Sequence, residues 1–232
     1  MRAKQTSLKF RDLAKLYFAI LLWHLVALWV GEPSYFIWLS KGLLLFVLIL
    51  YALAHRKNFA PGLFGPVLLA LLFSWAGDLT LEGGADFFLP GMALFALAQL
   101  AYLGAHSRLA SPWHRSFLLG GGMLVLLLLL VLDQVLDLPA ELAWPVRFYG
   151  ALLLTHFLFA LHNFRFRGRN YAWLLGAGLF LLSDLLLAYG KFKAPEEGFF
   201  SYPVMISYAL AQWFLLSGFL KHSARAPQIG TT

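Results

Sequence analysis

The stretch 74-SWAGDLTLEGGADFFLPGMALFALAQLAY-102 decides the fold, because two apolar helix patterns flank a short, acidic and glycine-rich break. Asp78 lies inside the first pattern, and Gln99 and Tyr102 lie inside the second. A carboxylate within a membrane helix is costly, and such residues usually face the bundle interior or a water-filled cavity. The stretch therefore predicts a membrane helical hairpin that contributes to a polar site.

The composition of the whole chain indicates a membrane protein. The 232 residues are 61% hydrophobic and 12% charged, whereas soluble domains have about 25% charged residues. The apolar residues form long runs, so we expect one transmembrane domain over 1–232 with an all-α, polytopic fold. The net charge of +7 marks loops rather than a nucleic-acid surface. The absence of cysteine excludes disulfides and thiolate chemistry.

Eight apolar runs have roughly the 17–25 residues that a helix needs to cross a bilayer. We predict transmembrane helices over about 13–30, 35–54, 64–81, 87–103, 117–136, 144–161, 172–189 and 202–220. The first run lacks an evident cleavage site after it, so we interpret it as a retained span rather than a signal peptide.

The connections between these spans alternate in charge. One set is basic and contains Arg2, Lys4, Lys9, Arg11, Lys15, Arg56, Lys57, Arg108, Arg115, Arg165, Arg167, Arg169, Lys221 and Arg225. The other set contains Glu32, Glu82, Asp86, Asp133, Asp137 and Glu141, and ends in a mixed loop with Lys191, Lys193, Glu196 and Glu197. Because basic loops stay on the cytoplasmic side, we predict a cell (inner) membrane protein with both termini in the cytoplasm.

The two halves of the chain share a pattern of polar landmarks. Trp38 and Trp144, Lys41 and Arg147, and Asp78 and Asp184 are each separated by 106 residues. The motif P-x-M-x-x-x-A-L-A-Q begins at Pro90 and again at Pro203, an offset of 113 that a longer last loop would absorb. A shift of four spans preserves helix direction, so we predict a 4+4 parallel internal repeat.

The charged residues inside the spans lie at similar depth. By the helical rise of about 1.5 Å per residue, Lys41, Asp78 and Asp184 all fall within the outer part of the bilayer. One interpretation is structural, with Lys41–Asp78 and Arg147–Asp184 as ion pairs that fix helix packing. The other is a polar cavity open to the outer side, because intramembrane ionisable groups commonly line substrate or ion paths.

Helical spacing favours the cavity. Residues three or four apart share a helix face, and this spacing relates Ser74 to Asp78, Gln99 to Tyr102, and Tyr208 to Gln212. The seven histidines form no H-E-x-x-H or similar ligand pair, so we do not expect a metal site. The sequence also lacks a G-x-S-x-G nucleophile elbow and a phosphate-binding glycine loop.

Five segments resemble the YhhN-like lysoplasmalogenase family of eight-span membrane proteins. They are SKGLLL with Lys41, LLFSWAGD ending at Asp78, AQLAY from Ala98 to Tyr102, LFLLSD ending at Asp184, and SYPVMISYALAQW from Ser201 to Trp213. The resemblance covers roughly spans 2 to 8. One position departs from it, since the family commonly has histidine where this chain has Gln99.

The resemblance implies hydrolysis of the vinyl ether bond of lysoplasmalogens to a fatty aldehyde and a glycerophospho-base. It implies that the partners are this lysophospholipid and membrane lipids, and that no cofactor is needed. Two carboxyl groups in unlike environments can divide acid and base roles, which implies catalysis by Asp78 and Asp184. The expected substrate-binding residues are Lys41, Ser74, Gln99, Tyr102, Arg147, Tyr208 and Gln212.

Two other functions fit the same residues. A parallel repeat around a polar cavity is also typical of a transporter or scramblase of small amphiphiles. If the intramembrane charges only fix helix packing, the protein is a non-catalytic lipid-binding or assembly protein.

Overall fold

A computed structural model describes residues 9–31, 34–109, 115–194 and 198–225. These residues form eight α-helices and no strand, which confirms the all-α, eight-helix prediction. The helices are α1 Phe10–Val30, α2 Ser34–Ala54, α3 Phe64–Leu81, α4 Phe88–Ser107, α5 Arg115–Val135, α6 Ala140–Phe166, α7 Tyr171–Phe192 and α8 Ser201–Arg225. Of the loop charges used to predict topology, Arg2, Lys4, Glu32, Glu196 and Glu197 lie outside the described residues.

Seven of these helices are long and apolar enough to cross a membrane. In α5 the apolar stretch with described side chains is shorter, Phe117–Val131. The largest difference from the predicted bounds is in α6, which extends to 27 residues. Hydropathy excluded its ends because Glu141 and Arg165 lie in the first and last turns. Helical hydrogen bonding continues through such polar ends.

Local sequence explains several helix ends. Gly31 ends α1 with φ of 69°, a left-handed conformation that glycine adopts without strain, and its N–H donates to the Ala27 carbonyl. Asn170 starts α7, where its side chain accepts a hydrogen bond from the Ala172 N–H at 3.2 Å. These caps set the lengths of two of the spans.

Helices α3 and α4 pack as a close hairpin, and so do α7 and α8. In the first hairpin, a Cβ placed on Gly91 would lie 3.5 Å from the Gly77 carbonyl oxygen. In the second, the Ser183 hydroxyl donates to the Val204 carbonyl at 3.1 Å. Residues 77 and 183 differ by 106, and 91 and 204 by 113, the offsets of the sequence repeat. The two helices of one hairpin therefore contact each other at the same repeat positions as the two helices of the other, which supports the repeat. That the complete halves superpose remains a prediction.

The bundle has two ends of different character. At one end lie Arg56, Lys57, Arg108, Arg165, Arg167 and Arg169, and we call this the basic end. At the other end lie the C-terminus of α3, the N-terminus of α4, the C-terminus of α7 and the N-terminus of α8. The cavities described next lie toward this second end.

Candidate active site

Asp78 from α3 and Asp184 from α7 line one chamber of about 90 Å³. Its other walls come from α2, α4, α6 and α8. The chamber is lined by Lys41, Asp78, Leu81, Phe88, Met92, Phe95, Val146, Tyr149, Ser183, Asp184, Leu187, Ala188, Phe192, Val204, Met205 and Tyr208. Two carboxyl groups thus share a small, mostly apolar space inside the bundle.

A larger vestibule of about 450 Å³ leads to the chamber from the end opposite the basic end. The two spaces share the lining residues Lys41, Leu81, Phe88, Leu187, Val204 and Met205. Polar side chains of the vestibule include Lys41, Glu82 and Lys191. The Lys191 ammonium lies over the Phe88 ring, 4.3 Å from its centroid, a cation–π contact. A charged mouth therefore opens onto an apolar chamber.

Asp78 is 2% exposed and joins a hydrogen-bond chain within the bundle. The Tyr208 hydroxyl donates to its Oδ2 at 2.8 Å. The Gln212 amide, one turn further along α8, donates to the Tyr208 hydroxyl at 3.3 Å. Tyr102 on α4 then donates to Gln212 Oε1 at 2.6 Å. Four of the residues that the sequence predicts for the site are thus joined in one chain.

Asp184 accepts a hydrogen bond from the Tyr149 hydroxyl of α6. Sequence reasoning did not select Tyr149, although it lies two residues after Arg147 in the same helix. The signal that points to it is its seven-residue spacing from His156, which places both on one face of α6. Each carboxyl group therefore has its own tyrosine donor, and the two donors come from different helices.

Lys41 and Arg147 occupy different surroundings. Lys41 lines both cavities, and its Nζ lies 2.7 Å from Glu82 Oε1. Among the described side chains, the Lys41–Asp78 ion pair expected from the structural interpretation is not formed, because Glu82 extends the α3 face one turn beyond Asp78. The Arg147 guanidinium lies 5.1 Å from the centroid of the Trp144 ring, outside the chamber lining.

Ser74 and Gln99 lie behind the chamber wall rather than on it. Both side chains are 0% exposed. Ser74 lies one turn before Asp78 on α3, and its hydroxyl has no hydrogen-bond partner among the described residues. Gln99 Oε1 lies 2.7 Å from His156 Nδ1 across the contact of α4 with α6. These two residues can act on the chamber only through their neighbours.

Within the described ranges, no three His, Cys, Asp or Glu side chains come together as a metal site would require. The chemistry that the chamber itself offers is carboxyl and hydroxyl proton transfer.

These features define the chain as a polytopic α-helical membrane protein with two inward carboxyl groups in one chamber. The family model of the YhhN family matches residues 36–219, and the chain belongs to this family. The matched range begins in α2 and ends in α8, so it includes every residue of the chamber. No curated protein and no solved structure matches the chain.

Proposed function

We propose that this protein is a membrane hydrolase that cleaves the vinyl ether bond of lysoplasmalogens to a fatty aldehyde and a glycerophospho-base. The observation that carries the proposal is the chamber itself, where Asp78 and Asp184 line one space and each accepts a tyrosine hydrogen bond. Paired carboxyl groups hydrolyse the acetal bonds of glycosides without a cofactor through an oxocarbenium-like transition state, and protonation of a vinyl ether produces the same kind of cation.

The reaction needs one carboxylic acid and one carboxylate. The acid protonates the β-carbon of the vinyl ether, which leaves an oxocarbenium ion on the carbon bonded to oxygen. The carboxylate stabilises this cation and removes a proton from the attacking water. In the hemiacetal that forms, the newly protonated carboxyl group gives its proton to the glycerol oxygen as the bond from carbon to that oxygen breaks. The carboxyl group that acted as the acid removes the proton of the hemiacetal hydroxyl, which leaves the aldehyde. One water is consumed, the aldehyde and the alcohol leave, and the two carboxyl groups return to their starting states.

The vestibule suits the polar end of such a substrate. A lysophospholipid has one phosphate, and Lys41 and Lys191 supply two ammonium groups along the vestibule wall. The vestibule has about five times the volume of the chamber, so the head group fits there and the reacting bond reaches the chamber. Lys41 lines both spaces, which supports its contact with the phosphate while the ether lies near the aspartates.

Aldehyde release tests this proposal directly. Purified protein in detergent is given a lysoplasmalogen, and the aldehyde is measured over time. The matched substrates are the saturated 1-alkyl ether and the 1-acyl ester with the same head group. The alkyl ether has no double bond to protonate and should remain intact. Absence of aldehyde from the vinyl ether, or equal cleavage of the ester, would overturn the proposal.

A transporter or scramblase of a small amphiphile is the second candidate. The observation that favours it is that the vestibule and the chamber are continuous and are lined by two hairpins whose helices pack together at matching repeat positions. Liposomes that contain the protein and a fluorescent lysolipid separate the two functions. Lipid movement between leaflets without aldehyde release would support transport in place of hydrolysis.

We also propose that both termini face the cytoplasm and that the vestibule opens on the opposite side of the cell membrane. The support is the basic character of the other end of the bundle. A single cysteine in place of Ala85, an exposed residue of the connection between α3 and α4, allows labelling from either side. Labelling only from the cytoplasm would refute this orientation.

A further inference from the structure

A line of polar residues, buried except for the half-buried Tyr149, follows the contact between α4 and α6. We call it the polar seam and define it as Gln99 and His106 of α4 with Tyr149, His156 and Asn163 of α6. The three residues of α6 recur every seven positions and so lie on one face of the helix. At about 1.5 Å per residue, the 14 positions from Tyr149 to Asn163 span roughly 21 Å. This length covers most of the depth of a bilayer.

Neighbouring members of the seam lie close together. Gln99 Oε1 lies 2.7 Å from His156 Nδ1. The rings of His156 and His106 have centroids 5.3 Å apart. Asn163 Nδ2 donates to the His106 carbonyl at 2.9 Å and lies 3.2 Å from His106 Nδ1. The line of polar groups is therefore continuous from Gln99 to Asn163.

The seam joins two chemically different regions. At one end, Tyr149 donates to Asp184 in the chamber. At the other end, Asn163 lies one turn before Arg167, whose Nε donates to the Leu109 carbonyl at the basic end. A polar route thus connects the chamber with the end of the bundle opposite the vestibule.

Several polar atoms of the seam have no hydrogen-bond partner among the described residues. They are Gln99 Nε2, His106 Nε2, His156 Nε2 and Asn163 Oδ1, and each of these side chains is at most 1% exposed. Tyr102 stacks on the His156 ring at 5.2 Å, but this contact leaves the ring nitrogen unpaired. An unsatisfied polar group in the bilayer interior costs several kcal/mol. Buried water, which typically makes about three such hydrogen bonds, is the ligand that these atoms fit.

We propose that the polar seam binds a file of water molecules and supplies water from the basic end to the carboxylate chamber. The supply role rests on the proposed hydrolysis, whereas water binding does not. Each turnover consumes one water, and a lysolipid in the vestibule closes the other route from bulk solvent. The seam ends at Tyr149, the donor to Asp184, so the incoming water reaches the chamber on the Asp184 side.

Hydrogen exchange tests water binding without any substrate. The protein is labelled with ¹⁵N-histidine in detergent, and the ring signals of His106 and His156 are assigned with H106Q and H156Q. After transfer to deuterated buffer, these ring protons should exchange far faster than the backbone amides of α4 and α6 around them. Ring protons that are protected as long as those amides would overturn the proposal.

A variant at Asn163 tests whether water enters the seam from the basic end. Asn163→Leu removes the polar group nearest that end and should slow exchange at both rings, whereas Asn163→Ser should retain fast exchange. Thr155→Val is the matched control, because its hydroxyl donates to Ala151 within α6, outside the seam. Unchanged exchange in Asn163→Leu, with unchanged thermal unfolding, would refute entry from the basic end.

Turnover tests the supply role. Asn163→Leu should lower kcat for aldehyde release and leave KM unchanged, because the substrate site is untouched. Slow ring exchange together with wild-type kcat would overturn the supply role. Wild-type protein that releases no aldehyde would refute the proposed function instead, and the exchange experiment would still decide whether the seam binds water.

Discussion

Asp78 and Asp184 occupy matching positions of the two sequence halves but have different surroundings. Asp78 receives its hydrogen bond from Tyr208 of α8, and Asp184 receives its own from Tyr149 of α6. By the offsets of 113 and 106, the counterpart of Tyr208 in the first half is Phe95, and that of Tyr149 is Leu43. The halves therefore differ at the residues that contact the carboxyl groups.

This difference gives the two carboxyl groups distinct connections. Asp78 is hydrogen-bonded to Tyr208 and, through it, is linked to Gln212 and Tyr102. Asp184 is hydrogen-bonded to Tyr149, the first residue of the polar seam, which continues toward the basic end. Two carboxyl groups that do different work in one reaction need unlike environments. The departure from repeat symmetry supplies them.

Loss of either carboxyl group should give the largest effect. Asp78→Asn and Asp184→Asn keep the shape of the side chain but remove the ionisable group. General acid–base catalysis contributes about 10²–10⁴-fold, so aldehyde turnover should fall by at least about two orders of magnitude in each variant.

Asp137→Asn is the control for both variants, because Asp137 is an exposed acid that pairs with Lys193. It should retain wild-type turnover. Near-wild-type rates in both chamber variants would reject the two-carboxylate mechanism and leave a structural role for the aspartates.

Removal of each tyrosine hydroxyl sharpens the contrast between the two sides. Tyr208→Phe and Tyr149→Phe each remove one hydrogen bond to a carboxyl group. Hydrogen bonds to charged groups contribute about 1.5–3 kcal/mol, so turnover should fall about 10- to 100-fold. The pH profiles of the two variants should differ, since each hydroxyl contacts only one of the carboxyl groups.

Tyr17→Phe is the matched control for these hydroxyls. Tyr17 is fully buried, and its hydroxyl donates to the Ala209 carbonyl at 2.9 Å rather than to an aspartate. It should lower stability without changing the pH profile. Identical profiles for Tyr208→Phe and Tyr149→Phe would contradict the division of roles.

The residues beside the two aspartates should differ in their tolerance of change. A Cβ on Gly77 would lie 2.8 Å from the Phe95 ring, which itself packs against Tyr208. Gly77→Ala should therefore reduce the free energy of unfolding by about 1–3 kcal/mol through overpacking. Ser183→Ala loses only the bond to Val204, and hydrogen bonds between membrane helices average about 0.6 kcal/mol.

Thermal unfolding in one detergent measures both changes. Gly120→Ala is the control, because a Cβ at Gly120 meets nothing within 4 Å. Since alanine is a better helix former than glycine, this control should be neutral or slightly stabilising. Equal unfolding temperatures for Gly77→Ala and Gly120→Ala would show that α3 and α4 pack less closely at this point.

The two ion pairs near the vestibule end should give the smallest effects. Lys41, paired with Glu82, has 12% of its side chain exposed, whereas Lys193, paired with Asp137, has 34% exposed. Lys41→Met should raise KM for the lysolipid by up to about fivefold, because a partly exposed ion pair with the phosphate contributes at most about 1 kcal/mol. Lys193→Met should leave KM unchanged and alter stability by less than about 1 kcal/mol. Equal KM values in the two variants would remove Lys41 from the head-group site.

The sequence predicts the helices and the inward direction of Asp78 and Asp184 well, because both signals are local. Long apolar runs require helices in a bilayer, and an acidic residue within such a run points inward. Partners across the bundle are harder to predict. Gln99 was expected beside the substrate, but it contacts His156 of α6. Helices that are apolar on all sides give little signal for their rotation about the axis, so the direction of Gln99 depends on tertiary packing.

Glu82 and Tyr149 also show that contacts across the bundle are difficult to predict from the sequence. Glu82 was counted only as a loop charge, because its distance from Lys41 in space is set by how α2 packs against α3. The sequence gives no local signal for the contact of Tyr149 with Asp184, because that contact depends on how α6 packs against α7. A single sequence identifies groups that must be buried and leaves open which of them meet.

The small volume of the chamber limits which part of a lipid can determine substrate selectivity. A space of about 90 Å³ has room for only a few water molecules, so a long hydrocarbon tail must remain outside it among the lipids. In the proposed reaction, the chamber holds only the part of the lysolipid next to its polar end, and the tail lies among the membrane lipids. The reaction rate should depend on the head group and on the bond beside it, whereas substrates that differ only in tail length should react at nearly the same rate.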